Sequence, residues 1–88
     1  MNYIERIKEI EKVEGLSRED LAMKCGIKYT RLRNVVGGQA EVRASDLAMI
    51  AETFPIYEVW LFTGKEYPQE GQISPMTKKA LDAENTDT

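Results

Sequence analysis

The stretch Leu16–Gly38, LSREDLAMKCGIKYTRLRNVVGG, places a small residue, Ala22, four positions ahead of a glycine, Gly26, between two short apolar-periodic segments. That spacing is the tightest constraint in the chain. Two helices that cross at roughly 90–120° through a turn of 3–4 residues approach closely at their contact, and a side chain larger than Ala22 would hold them apart. Gly26 lets the backbone turn with positive φ, and Ile27 drops back toward the interior. The pattern predicts a helix-turn-helix unit.

The flanking sequence is read the same way. In NYIERIKEIEKV, Tyr3 or Ile4, Ile7, Ile10 or Glu11, and Val13 recur at helical spacing, with Asn2 as N-cap and Gly15 as stop. Ser17, with Asp20 three residues on, is a capping signature for the second helix. The third begins near Lys28, turns Leu32, Val35 and Val36 inward, and closes at Gly37-Gly38 with a left-handed cap. A fourth, capped by Ser45, carries Leu47, Ile50, Ala51 and Phe54 on one side, and Pro55 opens a last short helix over IYEVWLFTG. The expectation is an all-α domain of five helices over residues 1–65. Residues 66–88, with scattered charge and proline, read as a polar tail with one weak helix from Ser74.

Composition narrows the function. The chain has 88 residues, no histidine and one cysteine, so the usual zinc frameworks, disulfides and Cys/His or Ser/His catalysis are unavailable. An enzyme is not expected, and neither a metal nor a cofactor is. Cys25 sits at an inward position and reads as a small core hydrophobe. Nothing approaches the roughly 18 apolar residues of a membrane span, and MNYIERIKEIEKVEG has no apolar signal core; the expected location is the cytoplasm of a bacterium, at the nucleoid. The formal net charge is −3, yet residues 17–43 hold six basic against three acidic side chains. A local positive face on an acidic chain is the footprint left when phosphates must be neutralised in one place.

The motif L-x-x-x-x-L-A-x-x-x-G from Leu16, followed by LAMIAETF and then WLFTGK at Trp60–Lys65, resembles the lambda-repressor-like helix-turn-helix family, the phage repressor and Cro group, from Ile4 to about Lys65. The resemblance implies four or five helices around one core, operator DNA as partner, dimeric binding and a third helix in the major groove. One feature departs from it. Many relatives pair an Arg late in helix one with a Glu ending helix three; Glu11 and Val36 stand at those positions, so an apolar contact is expected to replace the ion pair.

With Leu32, Val35 and Val36 inward, the period of helix three leaves Thr30, Arg33, Asn34 and Gly37 outward, Tyr29 at the start and Arg31 on the flank. Asn34 suits adenine and Arg33 guanine, in bidentate fashion; Thr30 and Tyr29 suit a thymine methyl or a phosphate. Tyr29 has a second reading, a ring packed over helix two. Ser17, Arg18, Lys28 and Arg31 are expected at phosphates, with Gln39 and Arg43 at the backbone or minor groove. Trp60 and Leu61 close the core, whereas Tyr57 and Phe62, with the tail, are the expected dimer contact. The combined expectation is a small phage or prophage repressor acting as a homodimer on an inverted-repeat operator, with an antirepressor as a further partner. The alternative is an antitoxin whose tail wraps a toxin; a helical module binding only protein is the third reading.

Overall fold

In the computed structural model, which describes residues 1–85, each apolar-periodic segment forms a helix where its caps allow it. Helix α1 spans Tyr3–Glu14, α2 Arg18–Cys25, α3 Tyr29–Val36, α4 Ala44–Thr53, α5 Glu58–Thr63 and α6 Pro75–Asn85; 3₁₀ turns cover Pro55–Tyr57 and Pro68–Glu70. The architecture is all-α, and among the described residues the only β feature is an isolated antiparallel bridge between Tyr67 and Gln72.

The N-terminal caps are chemical. The Asn2 side chain accepts from the Glu5 N–H at 2.9 Å, while Glu5 reaches back to the Asn2 N–H at 3.3 Å, so two otherwise orphaned donors are satisfied reciprocally. The Ser17 hydroxyl accepts from the Asp20 N–H at 3.1 Å. Ser45 does not cap α4: it lies exposed in the first turn, and the Asp46 carboxylate instead accepts from the Arg43 N–H at 2.9 Å. Carboxylates suit this end because the helix dipole is positive there.

Gly26 has φ of +72°, and the Ile27 N–H donates to the Ala22 carbonyl at 3.0 Å; these close α2 and turn the chain into α3. At the end of α3 only Gly38 is left-handed, with φ of +84°, while Gly37 stays right-handed. Helix α2 packs on α3 and α4, α1 on α3, α5 and α6, and α4 on α5. The shared core comprises Ile7 and Ile10 of α1, Leu21, Ala22 and Cys25 of α2, Ile27, Leu32, Val35 and Val36, Leu47, Ile50 and Ala51 of α4, and Tyr57, Trp60 and Leu61. Burying one large aliphatic side chain of this set contributes about 1.5–3 kcal/mol. Burial also pushes the Cys25 thiol up, which keeps it in its unreactive form.

Three further expectations are corrected. Glu11 does not join an apolar contact with Val36; its carboxylate accepts two bonds from Arg18, Nε at 3.0 Å and Nη2 at 2.9 Å. The charge at position 11 is thus met by a neighbour from α2. Removing one side of this partly buried pair, as in Glu11→Ala, is expected to lower stability by about 1 kcal/mol in a urea melt, because Arg18 loses two acceptors but keeps access to water.

Tyr57 is fully buried, packs edge-on to Trp60 and donates its hydroxyl to Glu14 at 2.6 Å; it has no surface to offer a second chain.

The segment after Lys65 carries the helix expected from Ser74 as α6, so the helices number six rather than five among the described residues, and the stretch leading into it is held by specific bonds. Gln72 donates from Nε2 to the Pro55 carbonyl and accepts from the Val59 N–H, each at 3.0 Å, and the Ile73 N–H donates to the Ile56 carbonyl at 3.0 Å. Ser74 then caps α6 by accepting from the Thr77 N–H at 3.1 Å, and Lys78 reaches Glu14 at 2.7 Å. Residues 86–88, the end of the expected tail, lie outside the described residues.

Glu14 therefore joins α1, Tyr57 and α6. Burial works to raise its carboxyl, but the hydrogen bonds from Lys78 and Tyr57 outweigh it and hold it below its ordinary value. For Asp46 burial is likewise outweighed, there by Arg31 and the Arg43 N–H, and Glu66 is lowered by Thr77 and the Ser74 N–H. A carboxylate depressed by folding contributes stability that is fully present above its unfolded value, about 4, and that is lost as pH falls through its folded value. Melting temperature is thus expected to be level from pH 7 to about 5 and to fall below about 4. A Glu14→Gln variant should start lower at neutral pH and show a shallower acid limb.

Candidate nucleic-acid interface

Helix α3 presents two chemically distinct sides. Leu32, Val35 and Val36 are buried, which turns Thr30 and Arg33 to the exterior with Asn34 half-buried beside them. The outward order follows from the 3.6-residue period once three apolar anchors are fixed. The Asn34 carbonyl accepts from the Gln39 and Ala40 N–H groups at 2.9 and 3.1 Å, so the turn after α3 is tied to the same residue.

The basic side chains around this face fall into two groups. Lys28 at the N-cap, Arg33 in the last turns and Arg43 before α4 are exposed and, among the described residues, form no ion pair. Arg18 and Arg31 are engaged inside the fold. Besides the Arg18–Glu11 pair, Arg31 donates from Nε and Nη2 to Asp46 at 3.3 and 2.6 Å, and from Nη2 to the Glu41 carbonyl at 2.9 Å. The Asp46 hydrogen bond raises the Arg31 pKa. Each of these two guanidiniums keeps an Nη1 outside those bonds, so a phosphate contact from them would be a shared duty, and their net charge is locally cancelled.

Ser17 is exposed, yet its hydroxyl is the α2 cap. Gln39 is exposed, with its side-chain amide folded over Gly37, where a Cβ would collide with it. Phe62 is half-buried against the core.

Sequence reasoning missed Asp46, which orders Arg31 and caps α4 at once. Arg43 offers no acceptor side chain, so Arg43-x-x-Asp46 does not read as a capping pair, and the approach of Arg31 across 15 positions is tertiary and leaves no local signal. It also missed Glu14, whose partners lie 43 and 64 residues away.

No family model matches the chain. Over 73 residues it is 33% identical to "Repressor protein C" of Escherichia phage P2, an alignment that covers 81% of this chain and 74% of that protein. The chain belongs to this phage repressor family. For a member of it, the geometry above has an ordinary sense: a helix-turn-helix-like domain with one outward helix face carrying hydrogen-bonding side chains, bordered by unpaired cations. Among the described residues no group of three or more His, Cys, Asp or Glu side chains is placed to hold a metal ion, and no helix is long and apolar enough to cross a membrane.

Proposed function

We propose that the chain is a sequence-specific DNA-binding repressor that occupies its operator as a homodimer, with α3 in the major groove. The observation that carries this reading is the α3 face itself: Thr30, Arg33 and Asn34 together on the side opposite the buried anchors, with Lys28 and Arg43 unpaired beside them. Arg33 suits the O6 and N7 acceptors of guanine and Asn34 suits adenine N6 and N7. Lys28, Arg43 and Gln39 supply phosphate contacts, which fix register and carry most of the salt dependence. Arg18 and Arg31 contribute chiefly by holding α2 and α3 in place.

One such domain makes few base contacts, and specific affinities near 10⁻⁸ M call for roughly twice as many. A second copy supplies them. We assign its contact to Phe62 and to α6, where Met76 and Leu81 are 42% and 45% exposed. A two-fold pair would read an inverted repeat with half-site centres about 10 base pairs apart. The cis-docked segment from Gln72 to Lys78 favours this reading over the antitoxin one, which needs that segment free to wrap a toxin.

Selection of bound duplexes from random DNA by the purified protein tests the proposal. Enrichment of one motif in two half-sites is expected, and recovery of unselected sequence at every salt concentration would refute it. On the recovered site, Lys28→Ala and Arg43→Ala should each lower the log–log salt slope by about one. Arg18→Ala and Arg31→Ala should change melting temperature more than slope. Sedimentation of Phe62→Glu and Leu81→Glu tests the assembly, and dimers in both variants would move the contact elsewhere.

A further inference from the structure

Tyr29 and Arg33 stand one helical turn apart on α3, and the guanidinium carbon of Arg33 lies 5.7 Å from the Tyr29 ring centroid. That is within the roughly 6 Å over which the face of an aromatic ring attracts a cation, and the i, i+4 spacing is what brings the two together. Tyr29 also lines the cleft between α2 and α3 with Met23 and Ile27, so the residue borders α2 while its ring meets Arg33. The Arg33 side chain is exposed and, among the described residues, forms no ion pair.

We propose that Tyr29 is a positioning residue for DNA reading: its ring holds the Arg33 side chain ready on the outer face of α3, and its phenol makes no base contact of its own. This rests on the reading of α3 as the helix that meets the bases. A free arginine gives up much rotamer freedom when it is fixed on a base edge. A ring that restricts the chain beforehand lowers that cost, and because the attraction runs through the ring face it leaves the N–H donors available. A carboxylate would restrict the side chain as well but would take up its donors and cancel its charge, as Glu11 does with two bonds to Arg18. Among Arg18, Arg31 and Arg33, the kind of partner thus separates the one that reads from the two that brace.

The test uses the full chain, the duplex selected by the unsubstituted protein, and the set of its single-base variants. Tyr29→Leu retains apolar contact with α2 but has no π face, and is expected to weaken binding to the selected duplex about three- to tenfold. That loss should appear as reduced discrimination at the one base pair where Arg33→Ala also loses discrimination, with the salt slope unchanged. Tyr29→Phe keeps the ring and should bind within about twofold of the unsubstituted protein. In the Arg33→Ala background, Tyr29→Leu should add almost nothing, because the interaction it removes is already gone. Tyr29→Phe as weak as Tyr29→Leu would overturn the proposal by placing the phenol on the DNA. A Tyr29→Leu loss spread evenly over all base pairs, or additive with Arg33→Ala, would overturn it by making the ring a packing element only. If Arg33→Ala changes discrimination at no base pair, the reading of α3 itself fails, an outcome separable from the other two.

Discussion

Tyr57→Ala is expected to lower the stability of the domain by about 3–5 kcal/mol, the usual cost of truncating a buried aromatic ring. The ring is fully buried, lies 5.9 Å from Phe54 and 6.5 Å from Trp60 between centroids, and ends in the 2.6 Å hydrogen bond to Glu14. Small domains hold about 5–15 kcal/mol in total, and each kcal/mol corresponds to about 4–8 °C of melting temperature at this size. The variant should therefore melt about 12–40 °C lower. Tyr57→Phe isolates the hydroxyl: Glu14 keeps Lys78 as a partner, so a loss of about 1–2 kcal/mol is expected in the same melt. A Tyr57→Ala protein with unchanged melting temperature but a monomeric sedimentation profile would return this side chain to the subunit contact.

Arg33→Ala combined with Asn34→Ala is expected to produce the largest change in binding. A bidentate contact to the right base is worth about 1–3 kcal/mol of discrimination, so losing both costs about 2–6 kcal/mol at the operator. Specific sites commonly exceed nonspecific ones by about 4–10 kcal/mol, and the double variant should lose most of that margin while binding random duplex nearly as before. Adjacent residues on one helix share their geometry, so the two single losses need not sum to the double one. Neither side chain contributes to the buried core, and an unchanged melting temperature separates lost contacts from lost fold. Titration of operator and scrambled duplex at one salt concentration checks it.

The features legible in the sequence were those encoded locally. Asn2-x-x-Glu5, Ser17-x-x-Asp20 and Gly26 announce the ends of α1 and α2 because a cap involves residues three or four apart, and the inward set Leu32, Val35, Val36 follows from one helical period. Ser45 reads as the cap because serine suits a helix start, whereas α4 begins at Ala44 with Arg43 flanking it, two positions earlier. Tertiary pairings left no such trace. Arg18 and Arg31 look like phosphate ligands when charge is counted along the chain, and nothing nearby in sequence shows that Glu11 and Asp46 meet them. The tail is legible in part for a related reason: the helix from Ser74 shows in its local pattern, while the docking of the stretch before it comes from the amide of Gln72 bridging Pro55 and Val59, a contact across 13 to 17 positions. Tyr57 reads as a surface residue because Tyr57, Trp60 and Phe62 crowd one short segment with aromatic rings, whereas the core takes it in and the partly buried Glu14 carboxylate satisfies its hydroxyl.

The most direct measurement of the central claim is dimethyl sulfate probing of the selected operator, since the reagent methylates guanine N7 in the major groove and adenine N3 in the minor groove. With α3 in the major groove, guanine N7 should be protected in both half-sites, and Arg33→Ala should restore reactivity at one guanine per half-site while leaving the other protections in place. Protection confined to adenine N3, or guanine protection indifferent to every substitution on α3, would contradict the account.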